Sequence, residues 1–153
     1  MAHTYSQIYV QIVFAVQGRR NLLPGEKKEQ LHRYITGIIR NEKQHVFRIN
    51  SVQDHVHLLL SISPDTSISD FVRDIKANSS RFINRSGWIR GRFSWQEGFG
   101  AFSYSRSELG QVIGYIDRQE EHHRKQNFRD EYIELLHKFD VNFNPSFLFE
   151  WGE

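Results

Sequence analysis

The sequence predicts an α+β fold of the ferredoxin-like, split βαβ kind: an antiparallel sheet with helices on one face and an added C-terminal helix. Three observations predict it. Apolar residues switch between strand and helix periods in the order strand, helix, strand, strand, helix, strand, helix. The run from 55 to 63 is nearly all apolar on alternate positions, as a central strand requires. The chain has 153 residues, 39% hydrophobic and 25% charged, enough for one domain spanning 1–153 with its own core.

The elements follow in order. Residues 7–16 are β-rich and partly alternating, a first strand. Residues 18–21 form a turn. Pro24 suits a first helical position, and Leu31, Tyr34, Ile35, Ile38 and Ile39 continue at helical spacing to about 42. Residues 44–52 read as a second strand and 55–63 as a third, joined tightly through Gln53 and Asp54. Pro64 to Thr66 ends that strand. Ser67 or Ser69 then caps a second helix to about 84, with Ile68, Phe71, Val72, Ile75 and Phe82 on its apolar side. Residues 86–100 are rich in glycine and tryptophan and read as a loop; 101–104 is a short fourth strand. Ser105 and Glu108 have capping-box spacing before a helix carrying Leu109, Val112, Ile113 and Ile116. A last helix spans about 128–137. An aromatic tail follows from about 138, with Phe143, Phe147, Leu148, Phe149 and Trp151 expected to dock on the rest.

Composition removes several classes. The absence of cysteine excludes disulfides and thiolate metal sites, and fits a reducing compartment. No basic-then-apolar leader opens the chain and no stretch is apolar enough to span a bilayer, so a cytoplasmic protein without membrane contact is expected. The net charge of +2 is uneven. Between 71 and 92 stand six basic residues, Arg73, Lys76, Arg81, Arg85, Arg90 and Arg92, against the single acid Asp74. That run suits a polyanion, although a solvated helix face reads the same way.

The chemistry is carried by two pairs. Side chains alternate on a strand, so His55 and His57 share a face with Leu59, opposite Val56, Leu58, Leu60 and Ile62. Two imidazoles two residues apart can reach one metal ion. A His-x-His pair alone is more often two polar residues on a half-exposed strand; its place in an apolar run strengthens the ligand reading. Farther on, Tyr115 and Gln119 fall one helical turn apart and can face one pocket. A Gln oxygen is an acceptable hard ligand. Two imidazoles with a carbonyl oxygen suit Mg²⁺ or Mn²⁺, while zinc stays open with His122 or His123 as further ligands. Tyr115 is then a nucleophile for a phosphodiester, its attack eased by metal polarisation of the phosphate. Singly, Tyr115 is a boundary aromatic and Gln119 a solvated helix residue.

With these residues placed, the chain resembles the single-tyrosine HUH transposases, the small enzymes that move the simplest bacterial insertion sequences as single strands. The matching residues are His55-Val56-His57, and Tyr115 with Gln119 four residues on. Trp95-Gln96-Glu97-Gly98-Phe99, Ser103 and Glu121-His122-His123 are also similar. The resemblance spans about 5–137. It implies a ferredoxin-like fold, a divalent metal, single-stranded or hairpin DNA as partner, and a 5′-phosphotyrosine intermediate with a free 3′-OH. It makes His55, His57 and Gln119 the ligands and Tyr115 the nucleophile. It also implies a bacterial or archaeal cell with action at the nucleoid. The implied homodimer shares its active sites between chains, with the four-glycine loop 86–100 as a plausible tether. The aromatic tail resembles longer relatives associated with repeated palindromes, which no longer mobilise their own genes.

Two other classes compete. One is a non-catalytic single-stranded nucleic-acid binder using the basic run and stacking on Trp88, Phe93 and Trp95. The other is an unrelated phosphoesterase. Leu59 stands where histidine-triad hydrolases need a third alternating histidine, and no second His-x-Ser/Thr repeat is present.

Overall fold

The computed structural model describes residues 3–18 and 22–148. Arg19, Arg20 and Asn21 of the expected turn, and Phe149 and Trp151 of the tail, lie outside these. Four strands, β1 (Ile8–Ala15), β2 (His45–Ser51), β3 (His55–Ile62) and β4 (Gly100–Tyr104), form a sheet in the order β2-β3-β1-β4. Every neighbouring pair is antiparallel, giving the ferredoxin-like arrangement expected.

Helix α1 (Lys28–Asn41) and helix α2 (Ile68–Ser86) cover one face. Their apolar stripes, Leu31/Ile35/Ile39 and Phe71/Val72/Ile75/Ile83, meet Val10, Ile12 and Phe14 of β1 and Val56, Leu58 and Leu60 of β3. Each such side chain contributes roughly 1.5–3 kcal/mol by leaving water. Ser67, not Ser69, caps α2, its hydroxyl accepting from the Asp70 amide at 3.3 Å. Gly87 closes α2 at φ +67°, a left-handed conformation that glycine adopts without strain. Pro24 precedes a 3₁₀ turn, Gly25–Lys27, so α1 proper begins later than its spacing suggested.

The second face is covered more fully than one added helix would manage. Helices α3 (Leu109–Asp117), α4 (Gln119–Lys125) and α5 (Phe128–Lys138) follow β4, and α3 and α5 pack there. Val13, Ala15, Leu59 and Phe102 from the sheet join Val112, Ile116, Phe128, Tyr132, Leu135 and Leu136 in a second core. The unbroken Leu58-Leu59-Leu60 run explains this: Leu59 points away from the first core and needs cover of its own. Gly100 lets α5 close in, since a Cβ there would stand 2.8 Å from the Tyr132 ring.

The segment from 87 to 99 is no free tether. Phe93 and Trp95 are buried in the first core, Trp95 donates to Ser79 Oγ at 2.9 Å, and Trp95 bridges to Val16 at the end of β1. Lys76 also donates to the carbonyls of Gln96 (2.8 Å) and Gly98. Among the described residues no helix is long and apolar enough to cross a membrane.

Candidate active site

Strand alternation puts His55 and His57 on the second face, beneath α3–α5 and fully buried. Neighbouring side chains orient both rings. Across β1, Val13 pairs with His57 and Gln11 with Leu59, which makes Gln11 the diagonal neighbour of His57 on the same face. Gln11 Oε1 lies 2.7 Å from His57 Nδ1, while Gln11 Nε2 donates to the Tyr104 hydroxyl at 2.7 Å. An amide oxygen only accepts, so His57 carries its hydrogen on Nδ1 and presents Nε2 to the site. His55 Nδ1 meets Asp54 Oδ1 at 2.7 Å, and its ring stacks on Phe128 with centroids 4.1 Å apart. Both Nε2 atoms thus point to the same spot.

Two further side chains arrive from the covering helices. Gln119 Oε1 stands 3.0 Å from His55 Nε2. Glu131 Oε1 stands 3.1 Å from His55 Nε2 and 3.3 Å from His57 Nε2. The other carboxylate oxygen, Oε2, accepts from Gln119 Nε2 at 3.2 Å and from the Tyr115 hydroxyl. Tyr115 crosses His57 edge-on at 5.8 Å and lies against His122 at 4.7 Å. Beyond it opens a cleft of about 460 Å³ lined by Tyr104, Gln111, Tyr115, His122 and Glu134.

Tyr115 and Gln119 do not share one helix. The ladder breaks at Arg118 (φ −97°, ψ 23°), which ends α3 and starts α4. Both side chains still face Glu131. Asn50 of β2 fixes the break, donating to the Ile116 carbonyl at 2.7 Å.

Electrostatics follow from burial and this carboxylate. Burial pushes Glu131 up, yet hydrogen bonds and positive charge from His55 and His57 outweigh it and hold it well below the usual carboxylate range. Burial pushes His55 down, but hydrogen bonds to Asp54 and Glu131 and their charges raise it to about 9. Burial dominates at His57, which is lowered. Burial and then the Glu131 charge lift Tyr115 well above the usual phenol range. The free site therefore holds a neutral phenol against a carboxylate.

Imidazole nitrogens, an amide oxygen and a carboxylate, all buried, make a donor set that could hold a divalent ion. His55, His57 and Glu131 have ligating atoms within 4.8 Å of one another. His123 does not join them. It lies 3.9 Å from Asp54, on the Nδ1 side of His55.

The basic run is elsewhere. Helix α2 lies on the opposite face of the sheet, with Arg73, Arg81 and Arg85 exposed, and Arg90 and Arg92 exposed in the segment after it. Arg73 pairs with Asp70 at 3.3 Å and Arg81 with Asn78. Lys76 is held by backbone carbonyls and is not free for a phosphate. Within this one chain Tyr115 stands against His57.

Glu131, Gln11 and Asp54 were missed by sequence reasoning. Glu131 had a signal, since Phe128, Tyr132, Leu135 and Leu136 form an apolar stripe in which it is the one carboxylate.

Residues 4–119 match the family described as "Transposase IS200 like". The chain belongs to this transposase family. It is 27% identical over 118 residues to the ISDra2 transposase TnpA of Deinococcus radiodurans, covering 74% of this chain and 84% of that one. It is 29% identical over 105 residues to the IS200 transposase of Salmonella typhimurium, covering 61% of this chain and 69% of that one. Two solved structures share the fold. A transposase structure from D. radiodurans R1 superposes with a TM-score of 0.61 at 22% identity, over 78% of this chain and 95% of that one. A REP-associated tyrosine transposase bound to a REP hairpin gives 0.60 at 17% identity, over 80% and 73%. Among site residues the family match takes in Gln11, Asp54, His55, His57, Tyr115 and Gln119, and ends before Glu131.

Proposed function

We propose that this transposase nicks and rejoins single-stranded or hairpin DNA, with Tyr115 as nucleophile and a divalent ion, Mg²⁺ or Mn²⁺, held by His55, His57 and Gln119. One observation carries the reading: the Tyr115 hydroxyl, the His55 and His57 Nε2 atoms and the Gln119 amide all converge on one buried carboxylate. Nucleophile and ligands are thus within one phosphate's reach of each other. Bound there, the ion would polarise the scissile phosphate and offset charge as it develops.

The chain's own residues supply the rest. The Tyr115 oxygen forms a bond to phosphorus, the P–O3′ bond breaks, and the phenolic proton ends on the departing 3′ oxygen. The DNA is left with a free 3′-OH and a 5′-phosphotyrosine. The diester bond energy is retained, so attack by a 3′-OH reverses the step and reseals the strand. Arg81, Arg85, Arg90, Arg92 and Arg73 would contact DNA on the far side of the sheet. Excising an element takes cuts at two ends. A homodimer supplies the two tyrosines, each in a site complete within its own chain.

The test uses a hairpin oligonucleotide labelled at its 3′ end, incubated with the protein and Mn²⁺ and run on a denaturing gel. A labelled band at protein mass, lost with Tyr115→Phe, is expected. Free cleavage products with no adduct at any time would replace Tyr115 with water as the nucleophile.

A further inference from the structure

We infer that Glu131 is itself a ligand of the site's divalent ion, so that the set is two imidazoles, one amide oxygen and one carboxylate oxygen. The inference rests on the proposed metal-dependent reading and adds to it a residue from α5, beyond the reach of the family match.

The distances have the right scale. Bonds of about 2.1 Å to Mg²⁺ put ligand atoms at right angles about 3.0 Å apart, and tetrahedral ones about 3.4 Å apart. The edges here are 3.0 Å for His55 Nε2 to Gln119 Oε1, and 3.1 and 3.3 Å for the two Nε2 atoms to Glu131 Oε1. Hydrogen bonds have similar lengths; what marks a cation site is that the ligating atoms of His55, His57 and Glu131 all lie within 4.8 Å of one another and are buried. Gln11 Oε1 stands 2.7 Å from His57 Nδ1, which leaves Nε2 as the His57 atom turned toward the carboxylate oxygen. Gln119 Oε1 and Glu131 Oε1 both face His55 Nε2, which has at most one hydrogen to offer them. The ligating atoms of four side chains thus meet at one buried point, linked by edges of 3.0, 3.1 and 3.3 Å, and such a cluster can cage a cation. A divalent ion at this point would bind the His57 Nε2 and Glu131 Oε1 atoms that face each other at 3.3 Å.

A carboxylate also does what Gln119 cannot. It brings a negative charge to a hard ion, and its second oxygen holds the Tyr115 hydroxyl. Ion and nucleophile are then tied to the same three-atom group, at a fixed separation. Four protein donors leave an octahedral ion two positions for phosphate oxygens or water.

Calorimetric titration of the full chain with Mn²⁺ tests this, with melting of the metal-free proteins as the control for folding. The wild type should bind one ion, and His57→Ala should bind none. Glu131→Gln, which keeps shape and removes charge, should weaken Mn²⁺ by about tenfold or more. Tyr115→Phe should bind as the wild type does. Loss of binding in His57→Ala with wild-type affinity in Glu131→Gln would overturn the Glu131 assignment and leave the His–His–Gln site standing. Wild-type affinity in His57→Ala would overturn both. If Glu131→Gln fails to fold, a crystal of the wild type soaked in Mn²⁺ decides through the anomalous signal. Manganese within about 2.3 Å of a Glu131 oxygen is expected. Manganese on the histidines with Glu131 turned away overturns the proposal.

Discussion

Tyr115 donates its hydroxyl hydrogen to Glu131, whose other oxygen lies 3.1 Å from His55 Nε2. Tyr115→Phe removes only that hydroxyl. It should abolish adduct formation and cleavage, leave hairpin affinity within about twofold, and cost roughly 1.5–3 kcal/mol of stability, the range for a hydrogen bond to a charged group. Gel analysis, binding by fluorescence anisotropy and thermal melting check the three parts. Cleavage at the native rate would remove Tyr115 from the chemistry.

The basic side chains of α2 lie across the sheet from the histidines, so they should affect affinity and not the chemical step. Replacing Arg81 and Arg85 by Gln should weaken hairpin binding and lower the salt-dependence slope by roughly 1.4, the value for two contacts to single-stranded phosphates. Single-turnover cleavage at saturating protein should be unchanged. Normal binding at every salt concentration would make α2 a solvated face. Lys76 should behave differently: Lys76→Met removes the donor to the Gln96 and Gly98 carbonyls and should lower stability more than affinity.

Mixing chains separates sites built within a chain from sites shared between chains. Tyr115 meets His57 of its own chain, so a dimer of one Tyr115→Phe and one His57→Ala chain has no intact site. Co-expressed, differentially tagged mixed dimers should cleave no better than either parent. Recovery of a substantial fraction of wild-type cleavage would show that α3 is exchanged.

Acid should weaken the fold through a histidine remote from the site. Burial, and then the Lys28 charge, holds His32 down to about 4, where it meets Ser51 Oγ at 2.8 Å. The unfolded chain takes up this proton near pH 6.5 and the folded chain only near 4. Stability is therefore full above about 6.5 and falls as pH drops through that window, by up to about 3 kcal/mol. His32→Gln should flatten the pH dependence of melting between pH 4 and 6.5. An unchanged slope would assign the acid sensitivity to other groups.

Much of this was legible in the sequence for a simple reason. Strand alternation and helical spacing are local, so β3, α1, α2 and the shared face of His55 and His57 could be read residue by residue. Tyr115 and Gln119 could be paired for the same reason, although the break at Arg118 has neither glycine nor proline to announce it. The rest depends on contacts between elements. Gln11 reaches His57 only through the β1–β3 register, and Glu131 reaches both histidines only once α5 has closed over Gly100. The basic run misled because its charge was legible while the side of the sheet it would occupy was not. Phe93 and Trp95, read as bases' stacking partners in the binding-module alternative, are spent on the first core.

Strand β3 is hydrogen-bonded on both edges and buried on both faces, and its odd and even residues serve different ends. The amides of 56–60 should accordingly be among the slowest in the chain to exchange with deuterium, opening only when the molecule unfolds. Helix α4, which buries Gln119 alone, should exchange far sooner. Slow exchange in α4, or fast exchange in β3, would contradict this. The histidines then form a stationary jaw, and any opening that admits a DNA strand has to come from the helical side, carrying Gln119, Tyr115 and Glu131 with it.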